Sequence, residues 1–325
     1  MTTDTLSEAL VEFPDNRLLI DLCGEYDRNL TEIETRLGVQ ILRRGNQLTI
    51  HGPSDAQAEA RDVLLALYQR LEQGRSVSPG DIDREFRMAP DDPGPDAQIE
   101  MFEGGPVEIK TRKKLVEPRT DAQKAYVRSL FDNELAFGIG PAGTGKTYLA
   151  VAVGVNMLIT GQVDKIILSR PAVEAGEKLG YLPGDMKDKV DPYMQPLYDA
   201  LNDFLPGKQL AKMIEEKVIE IAPLAFMRGR TLSNAFVVLD EAQNATSMQM
   251  KMFLTRLGEG SRMVITGDRT QIDLPRGVAS GLADAERLLK SIPKISFNYF
   301  TSKDVVRHPL VAAIIEAYEK DAESP

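Results

Sequence analysis

The chain has 325 residues, 42% of them hydrophobic and 27% charged, which supplies ample material for a core and argues against a low-complexity or disordered chain. With 39 Lys and Arg against 49 Asp and Glu, the net charge is −10, so any nucleic-acid site has to be a local basic patch on an acidic body. One cysteine, Cys23, and two distant histidines, His51 and His308, argue against a disulfide framework and a histidine-built metal centre.

The first residues, MTTDTLSEALVEF, have no basic stretch followed by an apolar one, and no window approaches the ~18 unbroken apolar residues of a membrane span. A cytoplasmic protein without membrane attachment is expected. Length predicts about two domains. Residues 1–75 read as a small βαββα domain: RLLIDL (17–22) alternates like a strand, NLTEIETRLG is an amphipathic helix ending at Gly38, and VQILRRGNQLTIHG is two strands turned at Gly45-Asn46. Ser54 is placed to cap a following helix, in which Ala60, Val63, Leu64, Leu67 and Leu71 fall on one face and Gly74 ends the run.

Residues 76–118 hold Pro79, Pro90, Pro93, Pro95 and Pro106 among acidic residues, then the basic run Lys110, Arg112, Lys113 and Lys114, and read as a linker. Over 119–325, strand-like runs (AFGI, KIILS, AFVVLD, RMVITGD, KISFNYF) alternate with helical segments. That alternation predicts an α/β domain with a parallel sheet flanked by helices.

The strongest chemical signal is Gly140-Pro141-Ala142-Gly143-Thr144-Gly145-Lys146-Thr147, which satisfies GxxxxGK[ST] directly after the strand AFGI and directly before a helix. Phosphates need close backbone approach and convergent N–H donors, which glycines and a helix N-terminus provide. Lys146 is expected to reach the β and γ phosphates of a nucleotide, and Thr147 to hold Mg²⁺ through its hydroxyl. A glycine-rich turn with an incidental lysine is the alternative, and both flanks speak against it.

The second acidic element, AFVVLDEAQN, ends an apolar strand at Asp240 and Glu241. Taken as lying next to the P-loop strand, it puts Asp240 toward Mg²⁺ and lets Glu241 orient and deprotonate an attacking water. A small-molecule kinase has no need of the second acid, so hydrolysis is favoured. GTP is disfavoured because Ser302-Lys303-Asp304 lacks the intervening residue of a guanine reader. Gln123, about seventeen residues before the P-loop, carries a carboxamide able to pair with adenine N6 and N7, or is simply a surface glutamine. MVITGDRTQIDLP ends a further strand near Asp268 and Gln271, and Gln271 is placed to sense a γ-phosphate. The stretch 169–184 reads as a loop that follows a nucleic-acid backbone or as an ordered surface loop. Arg228, Arg230 and Arg307 read as salt-bridge partners or as arginines acting on a neighbouring subunit's nucleotide.

Together GIGPAGTGKTYLAVA, SRPAVEAGEKLGYLPGD, VVLDEAQN and ITGDRTQIDLP resemble, in that order, the PhoH-like ATPase family, single-domain relatives of the ATPase core of superfamily 1 helicases, over residues 119–320. The resemblance implies a RecA-like P-loop fold, ATP and Mg²⁺ as ligands, an adenine-reading role for Gln123, Mg²⁺ and water roles for Asp240 and Glu241, and a γ-phosphate sensor at Gln271. It also implies RNA as a partner and work beside an RNA-processing endoribonuclease, either by remodelling or as an ATP-switched adaptor. By the same resemblance the N-terminal unit is KH-like, although Gly24-Glu25-Tyr26-Asp27 has aspartate where a GxxG clamp has its second glycine. A single RecA-like domain leaves the nucleotide open on one side, so a head-to-tail ring, a hexamer, is expected, with Arg307 first among the arginines acting in trans.

Overall fold

The computed structural model describes residues 7–88, 107–171, 186–275 and 277–306. The chain divides into two units, Met1–Gly104 and Gly105–Pro325.

In the first unit, strand β1 (Ser7–Glu12) is followed by α1 (Asn16–Cys23), α2 (Arg28–Leu37), β2 (Gln40–Arg44), β3 (Gln47–Gly52), α3 (Ser54–Glu72) and α4 (Pro79–Met88). The three strands form an antiparallel sheet in the order β1-β3-β2, with Leu48 and Ile50 of β3 facing the helices. The expected strand over 17–22 is a helix. Asp15 caps it by accepting from the Arg17 N–H at 2.8 Å, and Leu19, Leu22 and Cys23 lie one turn apart on its buried face. The strand of this unit comes earlier, at β1. Ser54 is already helical and makes no cap bond, the residue before it being Pro53. The hairpin turn stands where expected, with Gly45 at φ 63°.

The linker expected over 76–118 is structured at both ends. Helix α4 packs on α2 and α3 and buries Ile82 completely, with Arg70 and Arg36 reaching Asp81 and Asp83. Its apolar residues are few and sit between charged ones, so the periodicity is faint in the sequence. At the other end β4 (Ile109–Lys110) and β5 (Leu115–Val116) make a short hairpin whose Ile109 and Val116 enter the core of the second unit. Ile82→Ala is expected to destabilise the protein by about 2–4 kcal/mol, the usual cost of truncating a fully buried isoleucine. Chemical denaturation checks this, and a residue in a solvated linker gives no such loss.

The second unit continues with α5 (Asp121–Asp132), β6 (Leu135–Ile139), α6 (Lys146–Ile159), β7 (Lys165–Arg170), α7 (Met186–Phe204), α8 (Gly207–Glu215), β8 (Ile219–Pro223), β9 (Ala235–Leu239), α9 (Ser247–Leu254), β10 (Arg262–Gly267), α10 (Gly281–Leu289) and β11 (Ile295–Tyr299). Six strands form one parallel sheet in the order β11-β6-β10-β9-β7-β8. Strands β6 and β9 are buried along their whole length, as a parallel sheet with both faces covered requires. Helix α6 is apolar almost all round and lies against the sheet so closely that a Cβ on Gly154 would stand 2.7 Å from the Phe236 ring.

The order corrects one sequence expectation. The strand ending in Asp240, β9, is not next to the P-loop strand β6, because β10 lies between them. Apolar runs alone do not reveal strand order. The three strands end side by side at their carboxyl ends, where ligands gather in open α/β sheets.

Candidate nucleotide site

The loop from β6 to α6 folds over the ends of β6 and β10. Gly140 takes φ 154° and donates its N–H to the Gly267 carbonyl at 3.1 Å, and any Cβ there would meet the Phe300 carbonyl oxygen at 2.5 Å. Gly143 and Gly145 have φ of 83° and 79°, the left-handed region that turns the chain into α6. The turn therefore needs its glycines for backbone shape, and it leaves the first N–H groups of α6 without intrahelical partners at its mouth.

Lys146 is buried, and its ammonium donates to the Gly140 and Pro141 carbonyls at 2.7 Å each and to Thr144 Oγ1 at 3.3 Å. Burial pushes its pKa below the ordinary lysine range, while the charges of Asp268, Asp240 and Glu241 pull the other way. Asp240, at the end of β9, is 3% exposed. Its Oδ1 accepts from Thr147 Oγ1 at 2.6 Å and from Thr266 Oγ1 at 2.8 Å. Its Oδ2 accepts from Arg170 Nε at 2.8 Å.

Glu241 follows with a left-handed backbone, φ 52°, unusual for a non-glycine residue and the kind of strain that persists where surroundings over-determine it. Its Oε2 accepts from Gln243 Nε2 at 2.6 Å, and the Gln243 Oε1 accepts the Asp268 N–H at 3.0 Å. One buried glutamine thus joins the two acidic strand ends. Burial raises the Asp268 carboxyl, but bonds from the Thr270 hydroxyl and N–H, the Lys146 charge and the Ala142 N–H outweigh it and hold the pKa below the usual range. Gln271 donates to Asp268 Oδ2 at 2.9 Å, and Asn244 joins the same loop by accepting the Asp273 N–H at 2.8 Å.

These groups line a cavity of about 260 Å³ bounded by Gly143, Lys146, Thr147, Asp240, Glu241, Asp268 and Gln271. A second cavity of about 380 Å³ opens beyond Gly143 and Gly145, between Gln123, Tyr148 and the β4–β5 hairpin. Gln123 is buried, and its carboxamide donates to the Thr144 carbonyl at 3.0 Å and accepts the Arg119 N–H at 2.6 Å. It is not a surface glutamine. One amide hydrogen and one lone pair remain to it, fixed in direction by those two bonds.

Thus Gln123, Gly140, Pro141, Ala142, Gly143, Thr144, Gly145, Lys146, Thr147, Asp240, Glu241 and Gln271 stand in one neighbourhood. Arg307 and residues 172–184 of the stretch 169–184 lie outside the described residues. Arg230 makes a bidentate pair with Glu220 at 2.6 and 2.7 Å, which fixes its guanidinium there, whereas Arg228 is exposed. Sequence reasoning gave no role to Thr266 or Gln243. Their only signal is a lone polar residue in a buried strand and a glutamine two places after the acid. Asp304, in the stretch short of a guanine reader, closes a capping box on Thr301.

Among the described residues no cluster of three or more His, Cys, Asp and Glu side chains is placed to hold a metal. Mg²⁺ needs none, because it keeps waters and is usually bound through one or two carboxylates and substrate phosphates. The hard-oxygen pair of Thr147 and Asp240, 2.6 Å apart at the cavity wall, fits it.

A P-loop at the carboxyl ends of a parallel sheet, with paired acids across from its lysine, defines a protein with a P-loop ATPase fold. The family model described as PhoH-like protein matches residues 115–319, and the chain belongs to that family. A PhoH-like protein of Bacillus subtilis (strain 168) is 50% identical over 310 residues, covering 94% of this chain and 95% of that protein. One from Synechocystis sp. is 43% identical over 312 residues, covering 96% and 94%. Among solved structures, the Sulfolobus solfataricus SWI2/SNF2 ATPase core in complex with dsDNA is similar at a TM-score of 0.38 and 16% identity, covering 67% of this chain and 55% of that one, a likeness too slight to argue from. Among the described residues no helix is long and apolar enough to cross a membrane.

Proposed function

We propose that this site hydrolyses ATP. The observation that carries the reading is the placement of Glu241 beside Asp240 with its carboxylate held between two donors, across the cavity from Lys146. A phosphate cradle serves binding, while a second acid aimed into the same cavity serves water. Lys146 would exchange its loop carbonyls for phosphate oxygens, and the N–H groups at the start of α6 would meet the same phosphates. Thr147 and Asp240 would hold Mg²⁺, which supplies charge neutralisation on the phosphates when bound. Gln271 would report the γ-phosphate to the loop carrying Asp268 and Asp273. Phosphate release from ATP by the purified protein, lost in Glu241→Gln, tests the reading.

Base preference follows from Gln123. Its remaining hydrogen and lone pair match adenine N7 and N6, and a guanine O6 in the same place would face the carbonyl oxygen. ATP is expected to be preferred over GTP by about tenfold or more, given ~1–3 kcal/mol for a good bidentate pair. Gln123→Ala removes that preference, which competitive binding of the two nucleotides measures.

The wider reading is that this cycle gates RNA binding and that a neighbouring copy in a ring supplies an arginine. Its support is the family and the one GxxxxGK[ST] loop in the sequence. The N-terminal unit belongs to this reading as a KH-like module: Gly24-Glu25-Tyr26-Asp27 joins α1 to α2, with Tyr26 98% exposed at its tip. Structured RNA is expected to raise turnover, and turnover per subunit to rise with protein concentration. Flat responses in both assays would remove RNA gating and the ring from the proposal.

A further inference from the structure

Arg170 stands at the carboxyl end of β7, and nucleotide binding as described gives it no task. Its side chain is mostly buried and grips in three directions. It lies 2.8 Å from Asp240 Oδ2, its Nη2 is 3.3 Å from Glu241 Oε1, and its Nη1 donates to the Tyr193 carbonyl of α7 at 2.8 Å. A planar guanidinium with five N–H donors can meet two carboxylates and a carbonyl at once, which a lysine ammonium on a flexible stem does poorly.

The carbonyl it takes lies between two prolines of one helix. Pro192 and Pro196 both lie inside α7. Pro196 has no N–H to give to the Pro192 carbonyl, one residue before Tyr193, so the helix has one bond fewer at this turn. Arg170 thereby ties this turn of α7 to the two acids of the site. Glu241 is held at its other oxygen by Gln243, which is anchored on the Asp268 N–H. Its carboxylate cannot turn while both bonds stand. One bond depends on β7 and α7, the other on the loop after β10.

We propose that Arg170 is a positioning residue for the water-activating acid: it sets the direction of Glu241 and shares Asp240 with Mg²⁺, so that the seat of α7 decides whether Glu241 faces the attacking water. The proposal rests on the hydrolytic reading above. Two consequences separate it from a plain structural role. Removing the guanidinium frees an Asp240 oxygen and a negative charge, so Mg²⁺ should be taken up more readily. Removing it also frees Glu241 to turn, so the chemical step should slow.

The test uses the full-length protein as wild type, Arg170→Ala and Arg170→Lys. Binding of a non-hydrolysable ATP analogue is titrated against Mg²⁺ by calorimetry, and ATP turnover is measured alongside. For Arg170→Ala the half-saturating Mg²⁺ should fall severalfold, while kcat drops about tenfold or more and KM for ATP stays within about threefold. Arg170→Lys should bring the Mg²⁺ midpoint back toward wild type, because the charge returns. It should restore little of kcat, because the fork does not return. In a Glu241→Gln background Arg170→Ala should cost little further turnover, since the two residues act through one step. An unchanged Mg²⁺ midpoint in Arg170→Ala, or a kcat fully restored by lysine, overturns the proposal. Wild-type protein that binds the analogue yet turns over no ATP defeats the hydrolytic reading instead, and the Mg²⁺ titration still decides whether Arg170 holds Asp240.

Discussion

Glu241→Gln is expected to leave nucleotide affinity within about threefold and to cut ATP turnover by about two orders of magnitude or more, the usual worth of a positioned general base. The substitution keeps size and backbone and removes the charge. It also disturbs the two bonds that aim the side chain. Glu241 accepts from Arg170 and from Gln243, and an amide has only one oxygen to offer them. One donor then faces an NH₂ group, so the glutamine neither accepts a proton from water nor keeps the carboxylate's direction. Asp240, Thr147 and Lys146 keep their places, which is why binding persists. Single-turnover kinetics beside calorimetry separate the two effects. Unimpaired turnover would remove Glu241 from the water-activating role.

Lys146→Ala should act on binding. Among the described residues its ammonium is the only lysine charge at the phosphate cavity, and charge-assisted bonds are worth about 1.5–3 kcal/mol each. Losing contacts to two phosphates is expected to weaken ATP about a hundredfold or more, at ~1.4 kcal/mol per tenfold. The buried position adds a second effect. The Gly140 and Pro141 carbonyls lose their lysine donor and three acids lose a nearby cation, so a modest fall in melting temperature accompanies the loss of affinity. Lys146→Met, which fills the space, separates packing from charge. Calorimetry on both variants gives the answer, and wild-type affinity in either would sink the phosphate-cradle assignment.

Much of the site is legible in the sequence because its parts are short-range. A turn that must bring backbone to phosphate declares itself by glycines at fixed spacing, and a buried strand that ends in acids declares itself by the apolar run before them. Gly140 to Thr147, Asp240 and Glu241 are read that way, and Gln271 from its place just past the end of another buried strand. The rest depends on which strands lie side by side. Arg170 reads only as part of a loop, nucleic-acid-following or ordered surface, because its acidic partners Asp240 and Glu241 are seventy residues away, and Gln243 carries no signal of its role because its second contact is just past β10. The parallel sheet follows from alternating runs, but the insertion of β10 between β6 and β9 does not.

The N-terminal unit shows the other failure. Arg17–Leu22 holds apolar residues at 18, 19, 20 and 22, a pattern open to strand or helix over so short a run. Asp15 decides for helix by bonding the Arg17 N–H. Helix α4 was missed for a related reason: Pro79 and Gly80 read as linker, yet a proline in the first turn of a helix costs no backbone bond, and Ser78 accepts the N–H groups of Asp81 and Ile82.

Hydrolysis at this site is tested most directly by following the γ-phosphate. Wild-type protein is incubated with Mg²⁺ and γ-labelled ATP, with and without structured RNA, and the products are separated. Many turnovers that yield ADP and inorganic phosphate in equal amounts are expected. Label carried to another molecule in step with ADP, or ATP bound at saturation with no phosphate released in either condition, would contradict it.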